Sequence, residues 1–438
     1  MQTLKDLYGD VGLHEKLRRK TLKKSFETFD SNMVLESIQA SVSRSQQLQQ
    51  ENFNIIPKIR GLFGKTGAVE SAIGGHPHFN YLAESGGQQY GYTVSLFMDI
   101  KGSTRLGIIY SPEDVFYIKN AIIRCAIETI QAFDGHVHRI MGDAVLAFFR
   151  SNGSSPRNSA IDAINCGTYL VEFMKEVVLP HLQENNLDED IGIRVGIDYG
   201  DNKNVLWGMY GYRGSHEVTA TSFHVDVAAK LQQKAPRNRV MIGQSIKELL
   251  DLHNGIIENR YIIRNGETVP LPYVRPNHKD DDGNAINYQQ FVINHKAYFE
   301  LLPKPEDADR LLTITSTLKP NKDSISDIGY ASCSRAVEKP YGVDFKVKFR
   351  LNAESGDDIK VRFRVENHGA EAFEIKEPLY SNHDTVISPS LRSDGTYFAK
   401  QWEGTSYTGL HYMCVSVLQN GRVAIPETLF GVYVGNQE

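Results

Sequence analysis

The pair Gly142-Asp143 stands between two strand-like runs, H-V-H-R-I-M before it and A-V-L-A-F-F after it. A Gly-Asp pair between such runs is a strong hairpin signal, because a tight turn needs residues that tolerate positive φ. Upstream, V-S-L-F-M-D-I over 94–100 is a short apolar run rich in strand formers, with Asp99 near its end. The turn Lys101-Gly102-Ser103-Thr104 follows. Ser111-Pro112-Glu113-Asp114 then opens a helix, with a capping Ser, Pro at the first helical position and acids in the first turn. Val115, Ile118, Ile122, Ala126 and Ile130 recur at helical spacing up to Gly135.

Further along, the pattern predicts a helix from Asn158 to Leu182 and a strand from Ile191 to Ile197. A helix from Ser222 to Lys234 and a strand from Val240 to Ile242 come next. The order β-α-β-β-α-β, with later αβ additions, predicts an α+β domain of ferredoxin-like type, an antiparallel sheet with helices on one side.

At 438 residues the chain exceeds what one core usually serves. Residues 1–90 read as a polar, partly helical N-terminal extension with a basic cluster, Lys16-Leu17-Arg18-Arg19-Lys20, and a Gln-rich stretch at 46–50. The α+β domain is expected over 91–302 and a Pro-punctuated, charged linker over 303–325. From 326 to 438 strand patterns such as I-K-V-R-F-R-V and F-G-V-Y-V alternate with turns such as Asn367-His368-Gly369 and Asn420-Gly421. That texture predicts an all-β sandwich. Asp280-Asp281-Asp282, beside Gly and Asn, reads as solvated loop.

A net charge of -5 argues against a nucleic-acid binder held mainly by phosphate contacts. Cys125, Cys166, Cys333 and Cys414 lie far apart with no C-x-x-C pattern, which fits free thiols in a reducing compartment. The first twenty residues contain no apolar signal core, and no apolar run approaches the length of a membrane span. A cytoplasmic protein is expected.

Asp99 and Asp143 carry the chemistry of interest. If the hairpin pairs beside the first strand, both acids emerge at one sheet edge. Two oxygen-ligand acids at one edge suit Mg²⁺ or Mn²⁺, which bind a few carboxylates plus substrate phosphates. The turn after Asp99 leads towards a helix, so its free N–H groups are placed to receive phosphate oxygens. Acids at strand ends are also common turn formers, and spacing alone does not separate the two readings. His136 and His138 have metal-like spacing on one side of a strand, but no third ligand is evident, and a structural role is expected.

Four ordered motifs then point to one family. F-M-D-I-K-G-S-T-R-L resembles the first signature of the class III adenylyl/guanylyl cyclases, and G-H-V-H-R-I-M-G-D-A-V-L-A-F-F resembles the second. G-I-R-V-G-I-D-Y-G is similar to the strand usually written V-R-I-G-I-H-x-G, and F-H-V-D-V-A-A-K-L-Q to the helix usually written D-x-V-N-x-A-S/A-R-L-Q. The resemblance implies an enzyme that closes a nucleoside triphosphate into a 3′,5′-cyclic nucleotide. It implies two divalent ions, Mn²⁺ or Mg²⁺, on Asp99, Asp143 and the carbonyl of Ile100, with Lys101, Gly102, Ser103 and Thr104 on the triphosphate. It also implies a homodimer, with the metal acids from one chain and the helix residues from the other.

The departures narrow the substrate. Purine cyclases carry Lys or Glu where this chain has Arg139, and Asp or Cys where it has Thr219. Asp226 replaces the family Asn at the ribose, and Lys230 the family Arg at the α-phosphate. Lys keeps the charge and loses the planar fork. Arg139 at the base position resembles the pyrimidine cyclases of bacterial anti-phage signalling, the Pycsar systems, whose products are cyclic CMP or cyclic UMP. A surface ion pair is the plainer reading of Arg139. V-R-F-R-V-E-N-H-G-A-E-A and E-G-T-S-Y-T-G-L-H-Y-M-C-V resemble the adenylyl/guanylyl cyclase and SMODS C-terminal sensor domain. That fusion favours CTP over UTP. A nucleotide-like ligand at Trp402, Tyr407, His411 and Tyr412 competes with the reading that these residues fill the sandwich. A uridylate cyclase, an adenylate cyclase and a catalytically dead nucleotide-sensing protein remain as alternatives.

Overall fold

The computed structural model describes residues 3–8, 55–67, 69, 72–151, 153–184, 191–212, 214–275, 278–374 and 382–437. The basic cluster at 16–20 and the Gln-rich stretch at 46–50 lie outside the described residues. In chain order come α1 (Leu4–Tyr8), α2 (Ile55–Leu62), β1 (Gln88–Tyr90), β2 (Thr93–Lys101), α3 (Ser103–Ile109) and α4 (Pro112–Ala132). The hairpin β3 (Gly135–Met141) and β4 (Ala144–Phe149), α5 (Pro156–Phe173), β5 (Gly192–Gly200), β6 (Leu206–Tyr212) and β7 (Ser215–Thr221) follow. Then come α6 (Phe223–Lys234), β8 (Arg239–Gly243), α7 (Gln244–Leu250), β9 (Ile257–Asn259), β10 (Gln290–Ile293) and α8 (His295–Leu301).

Local chemistry sets the helix starts. Ser111 Oγ accepts from the Asp114 N–H at 3.2 Å, and Ser155 Oγ from the Asn158 N–H at 3.2 Å. Each cap satisfies a donor that the first turn leaves open. α5 runs on through a π turn, Met174–Val178, into Leu179–Glu184.

A seven-stranded sheet among the described residues has the order β3-β4-β2-β5-β8-β10-β9. The expected all-antiparallel sheet is corrected at one place: β5 and β8 pair parallel. The chain leaves β5 and returns to β8 through α6, a crossover that delivers a parallel neighbour.

Helices also cover both faces, where one was expected. Val94, Leu96, Met98 and Ile100 of β2 bury their side chains in the core that α4 and α5 share. The alternate residues of β2 and β5 face the other way. There Gly196 makes room for α6: a Cβ would fall 2.2 Å from Gln232 N and 2.3 Å from Ala228 O. Val227 and Leu231 of α6 pack with Met241 and Val292 in a separate small cluster on that face. The ribbon β1-β6-β7 covers the rest of it, with fully buried Trp207 stacked on Phe79.

The C-terminal region is a sandwich of two five-stranded sheets among the described residues. Within the expected linker 303–325, Leu312–Lys319 pairs with Gly342–Phe349 as one of its strands. The alternation L-T-I-T-S-T-L-K across that segment is a strand pattern. The sandwich shares a core with the first domain, since Cys333, Leu410 and Tyr433 belong to the cluster built on α4 and α5. Asn165 of α5 donates to the Cys333 carbonyl at 2.9 Å and accepts from Tyr298 OH at 2.7 Å. Asp280 works as a turn former, its Oδ1 accepting from the N–H groups of Asp282 and Asn284.

Gly196→Ala places a methyl group against helix backbone that cannot rotate away. A loss of about 2 kcal/mol or more is expected, read as a lower melting temperature. An unchanged melting temperature contradicts the close approach of α6.

Candidate active site

The site begins with strand register. Asp99 lies opposite Ala144, the first residue after the hairpin turn. Gly142 makes that turn at φ 66°, where a side chain is strained. The Ile100 N–H donates to the Asp143 carbonyl at 3.3 Å. The backbones of Asp99, Ile100 and Asp143 therefore lie side by side at one end of the sheet, with the Ile100 side chain turned into the core.

Both acids hold cations. Asp99 Oδ2 accepts from Arg194 Nε at 3.2 Å and also contacts Nη2 of the same fork. Arg194 sits directly across from Asp99 on β5. Asp143 Oδ2 lies 3.6 Å from Lys119 Nζ on α4. The donor set fits a hard divalent cation: two half-buried carboxylates and a backbone carbonyl, all oxygen, in a place that already collects positive charge. Among the described residues no group of three or more His, Cys, Asp or Glu gathers as a metal site. Mg²⁺ and Mn²⁺ need none, because waters and substrate phosphates complete their shells.

Lys101 ends β2, and Gly102 turns the chain at φ 85° into α3. Ser103 is buried and Thr104 exposed at the head of that helix, one residue from the acids' edge. Arg139 lies on β3 with its side chain 46% exposed, and forms an ion pair with Glu217 of β7, as in the plainer alternative reading. Nε donates to Glu217 Oε1 at 3.1 Å and Nη2 meets Oε2, so the fork is bidentate and Nη1 keeps its donors. Thr219 lies two residues beyond Glu217 on the same face of β7. The structure thus brings Arg139 and Thr219 to one surface.

Asp226 and Lys230 stand one turn apart on α6, Asp226 exposed and Lys230 half-buried. Asp226 stands well up the helix from the end that lies beside the metal acids. Arg194, which holds Asp99, also donates from Nη1 to the Gln233 carbonyl at 3.0 Å, at the far end of α6. At about 1.5 Å per residue, Asp226 lies about 10 Å up the helix from there.

His136 Nε2 and His138 Nδ1 both bond the Gly74 carbonyl, at 2.8 Å and 2.9 Å. They clamp a loop. Glu217 Oε1 comes within 2.5 Å of His138 Nε2, without the alignment of a hydrogen bond. In the sandwich, Tyr407, His411 and Tyr412 line a cavity of about 50 Å³, while Trp402 packs over Gly342 and Gly404 instead. Nucleotide-sized pockets run from about 300 Å³. Nor are those side chains idle: His411 bonds the Tyr407 carbonyl and the His368 N–H, and Tyr412 OH bonds His253 Nε2 at 2.6 Å. They hold structure together.

Residues 87–272 match the family model of the adenylate and guanylate cyclase catalytic domain. Residues 290–435 match the adenylyl/guanylyl and SMODS C-terminal sensor domain. A cytidylate cyclase of Escherichia coli is 39% identical over 421 residues, covering 94% of this chain and 89% of its own length. The chain belongs to the class III nucleotidyl cyclases, in their pyrimidine nucleotide branch. A second E. coli cytidylate cyclase is 32% identical to the cyclase over 94% of this chain and 90% of its own. One from Staphylococcus aureus is 33% identical over 91% of this chain and 94% of its own.

The structure adds four residues around the candidate site that the motifs do not single out. Arg194 lies inside the quoted G-I-R-V strand, and its cross-strand position to Asp99 was the available signal. Lys119 and Glu217 carry no local signal; only the fold brings them in. Asp198 stands where the family strand has His, and it is fully buried.

Burial holds the imidazole of His76 down to about 3 and that of His138 down to about 4. Protonation from about pH 6.5 downward therefore charges the unfolded chain first, and their contribution to stability fades as the pH falls toward those values. In an NMR titration of the folded cyclase both rings should remain neutral at pH 5. Titration of His138 near 6.5 contradicts the clamp on the loop, and titration of His76 near 6.5 contradicts its burial against the Arg150 carbonyl.

Proposed function

We propose that this cyclase converts CTP to 3′,5′-cyclic CMP and pyrophosphate, in the cytoplasm, as a bacterial anti-phage signal. The observation that carries the chemistry is the pairing of Asp99 and Asp143 at one edge, bound together by the Ile100–Asp143 backbone hydrogen bond. Arg139 at the base position and the cytidylate cyclases that align along nearly the whole chain support the choice of CTP.

Asp99, Asp143 and the Ile100 carbonyl would hold two Mg²⁺ or Mn²⁺ ions. Bound there, such ions lower the pKa of the ribose 3′-hydroxyl and offset the charge of the phosphates. Lys101 and the turn through Gly102, Ser103 and Thr104 hold the triphosphate. Asp226 accepts from a ribose hydroxyl, and the Lys230 ammonium steadies the α-phosphate. The 3′-oxygen bonds to the α-phosphorus in line as the bond to the bridging oxygen of the β-phosphate breaks. Pyrophosphate leaves, and the hydroxyl proton passes to solvent. Nη1 of Arg139 and the hydroxyl of Thr219 meet the edge of the base.

The active unit is a homodimer with two composite sites. The placement of Asp226 about 10 Å up α6 from the Gln233 carbonyl, which Arg194 beside Asp99 bonds, supports this, since a second copy would bring its own α6 to the first copy's acids. Ile140, Met141, Tyr210, Tyr212 and Phe223 are exposed on the elements that carry the site, an apolar surface suited to a partner.

Mixed dimers test the division of labour. Asp143→Ala and Lys230→Ala chains are each expected to be inactive. Mixed together they should regain activity, because one composite site per mixed dimer is intact. No recovery from dimers shown to be mixed contradicts the shared site.

Competition among CTP, UTP, ATP and GTP with Mn²⁺ tests the base. CTP should lead the purines by more than about tenfold, the result of about 1.4 kcal/mol per mismatched edge. Arg139→Ala should narrow that ratio without lowering the melting temperature. A preference for UTP would favour the uridylate reading, and a preference for ATP would overturn the pyrimidine assignment.

A further inference from the structure

Asp198 is fully buried in β5, on the face that α6 covers. A buried carboxylate is costly unless donors surround it. Its two oxygens accept from Ser245 Oγ at 2.7 Å, from Tyr288 OH at 2.9 Å to each oxygen, and from His224 Nδ1 at 3.0 Å. Burial pushes the Asp198 carboxyl up, against those donors. Burial and the neighbouring carboxylate hold the Tyr288 phenol well above its usual range, which keeps it a donor. Two glycines leave room for the arrangement. A Cβ on Gly243 would fall 2.1 Å from Asp198 Oδ1, and one on Gly200 would fall 2.4 Å from Val205 and 3.3 Å from His224.

His224 is in the first turn of α6, two residues before Asp226. Ser222 caps the same turn by accepting from the His224 N–H at 3.2 Å. Tyr288 and Phe223 pack edge-on around the network. The start of α6 is therefore tied to β5, to the head of α7 through Ser245 and to the loop of Tyr288. A helix start held only by its cap would be free to shift, and a misplacement of about 1 Å at a reacting group costs about 10²-fold in rate.

We propose that Asp198, acting through His224, is a positioning residue for cyclisation: it fixes the first turn of α6 and with it the direction in which Asp226 meets the substrate ribose. The proposal rests on the reading of Asp226 as a ribose contact. His224→Ala removes the tether. His224→Asn keeps a donor near the place of Nδ1, and Asp198→Asn keeps the shape while removing the charged acceptor.

Steady-state kinetics on the full chain, with the triphosphate preferred in the competition assay, decide the matter. His224→Ala and Asp198→Asn should lower kcat by about tenfold or more with KM changed by less than about threefold, and His224→Asn should restore most of kcat. The double variant His224→Ala/Asp226→Ala should be no slower than Asp226→Ala alone, since both changes remove one contact. Losses that multiply in the double variant overturn the positioning role and leave the Asp226 assignment standing. Equal kcat for His224→Ala and His224→Asn, tracking only a fall in melting temperature, also overturns it. Wild-type kcat in Asp226→Ala removes the Asp226 assignment, and the proposal with it.

Discussion

Everything at the candidate site's edge depends on one antiparallel register, the one that sets Asp99 of β2 opposite Ala144 of β4. A slip of one residue would turn Asp99 into the core and expose Met98, because side chains alternate with a period of two. Burial of Val94, Leu96, Met98 and Ile100 beneath α4 and α5 forbids the slip. The positive-φ turn at Gly142 then leaves Asp143 no position other than beside Ile100. The core under the sheet and the carboxylates at its edge are two consequences of one pattern.

The second face has its own constraint, the close approach of α6 at Gly196. That contact sets how far α6 lies from β5, and the buried Asp198 network sets where its first turn begins. The frame continues into the sandwich. Ser245, at the head of α7, bonds Asp198; at the other end of α7, Asp251 accepts from the Ala370 N–H at 2.7 Å. Just beyond, His253 stacks on His368 at 3.8 Å between ring centroids and bonds Tyr412. A short helix thus touches the support of α6 at one end and the sandwich at the other.

Much of this was legible in the residues. The hairpin at Gly142-Asp143, the capped helix at Ser111 and the alternating strands of the sandwich are local signals, and the structure has each of them. The four motifs named the family before any contact was known. What stayed hidden is non-local. The parallel pairing of β5 with β8 and the placement of α6 on the second face depend on a crossover that no single segment encodes. Lys119 and Glu217 reach the site from elements far away in the chain. Leu312–Lys319 looks like linker in the sequence because prolines on both sides, Pro305 and Pro320, mask its eight-residue alternation.

The proposed site is built from two copies of this chain around Asp99 and Asp143. A crystal structure with Mn²⁺ and a CTP analogue that cannot cyclise tests it most directly. Metal density is expected between Asp99, Asp143 and the Ile100 carbonyl of one copy, with the ribose against Asp226 and the α-phosphate near Lys230 of the other. Triphosphate bound away from Asp99 and Asp143, or contacted by the α6 of its own chain, would contradict it.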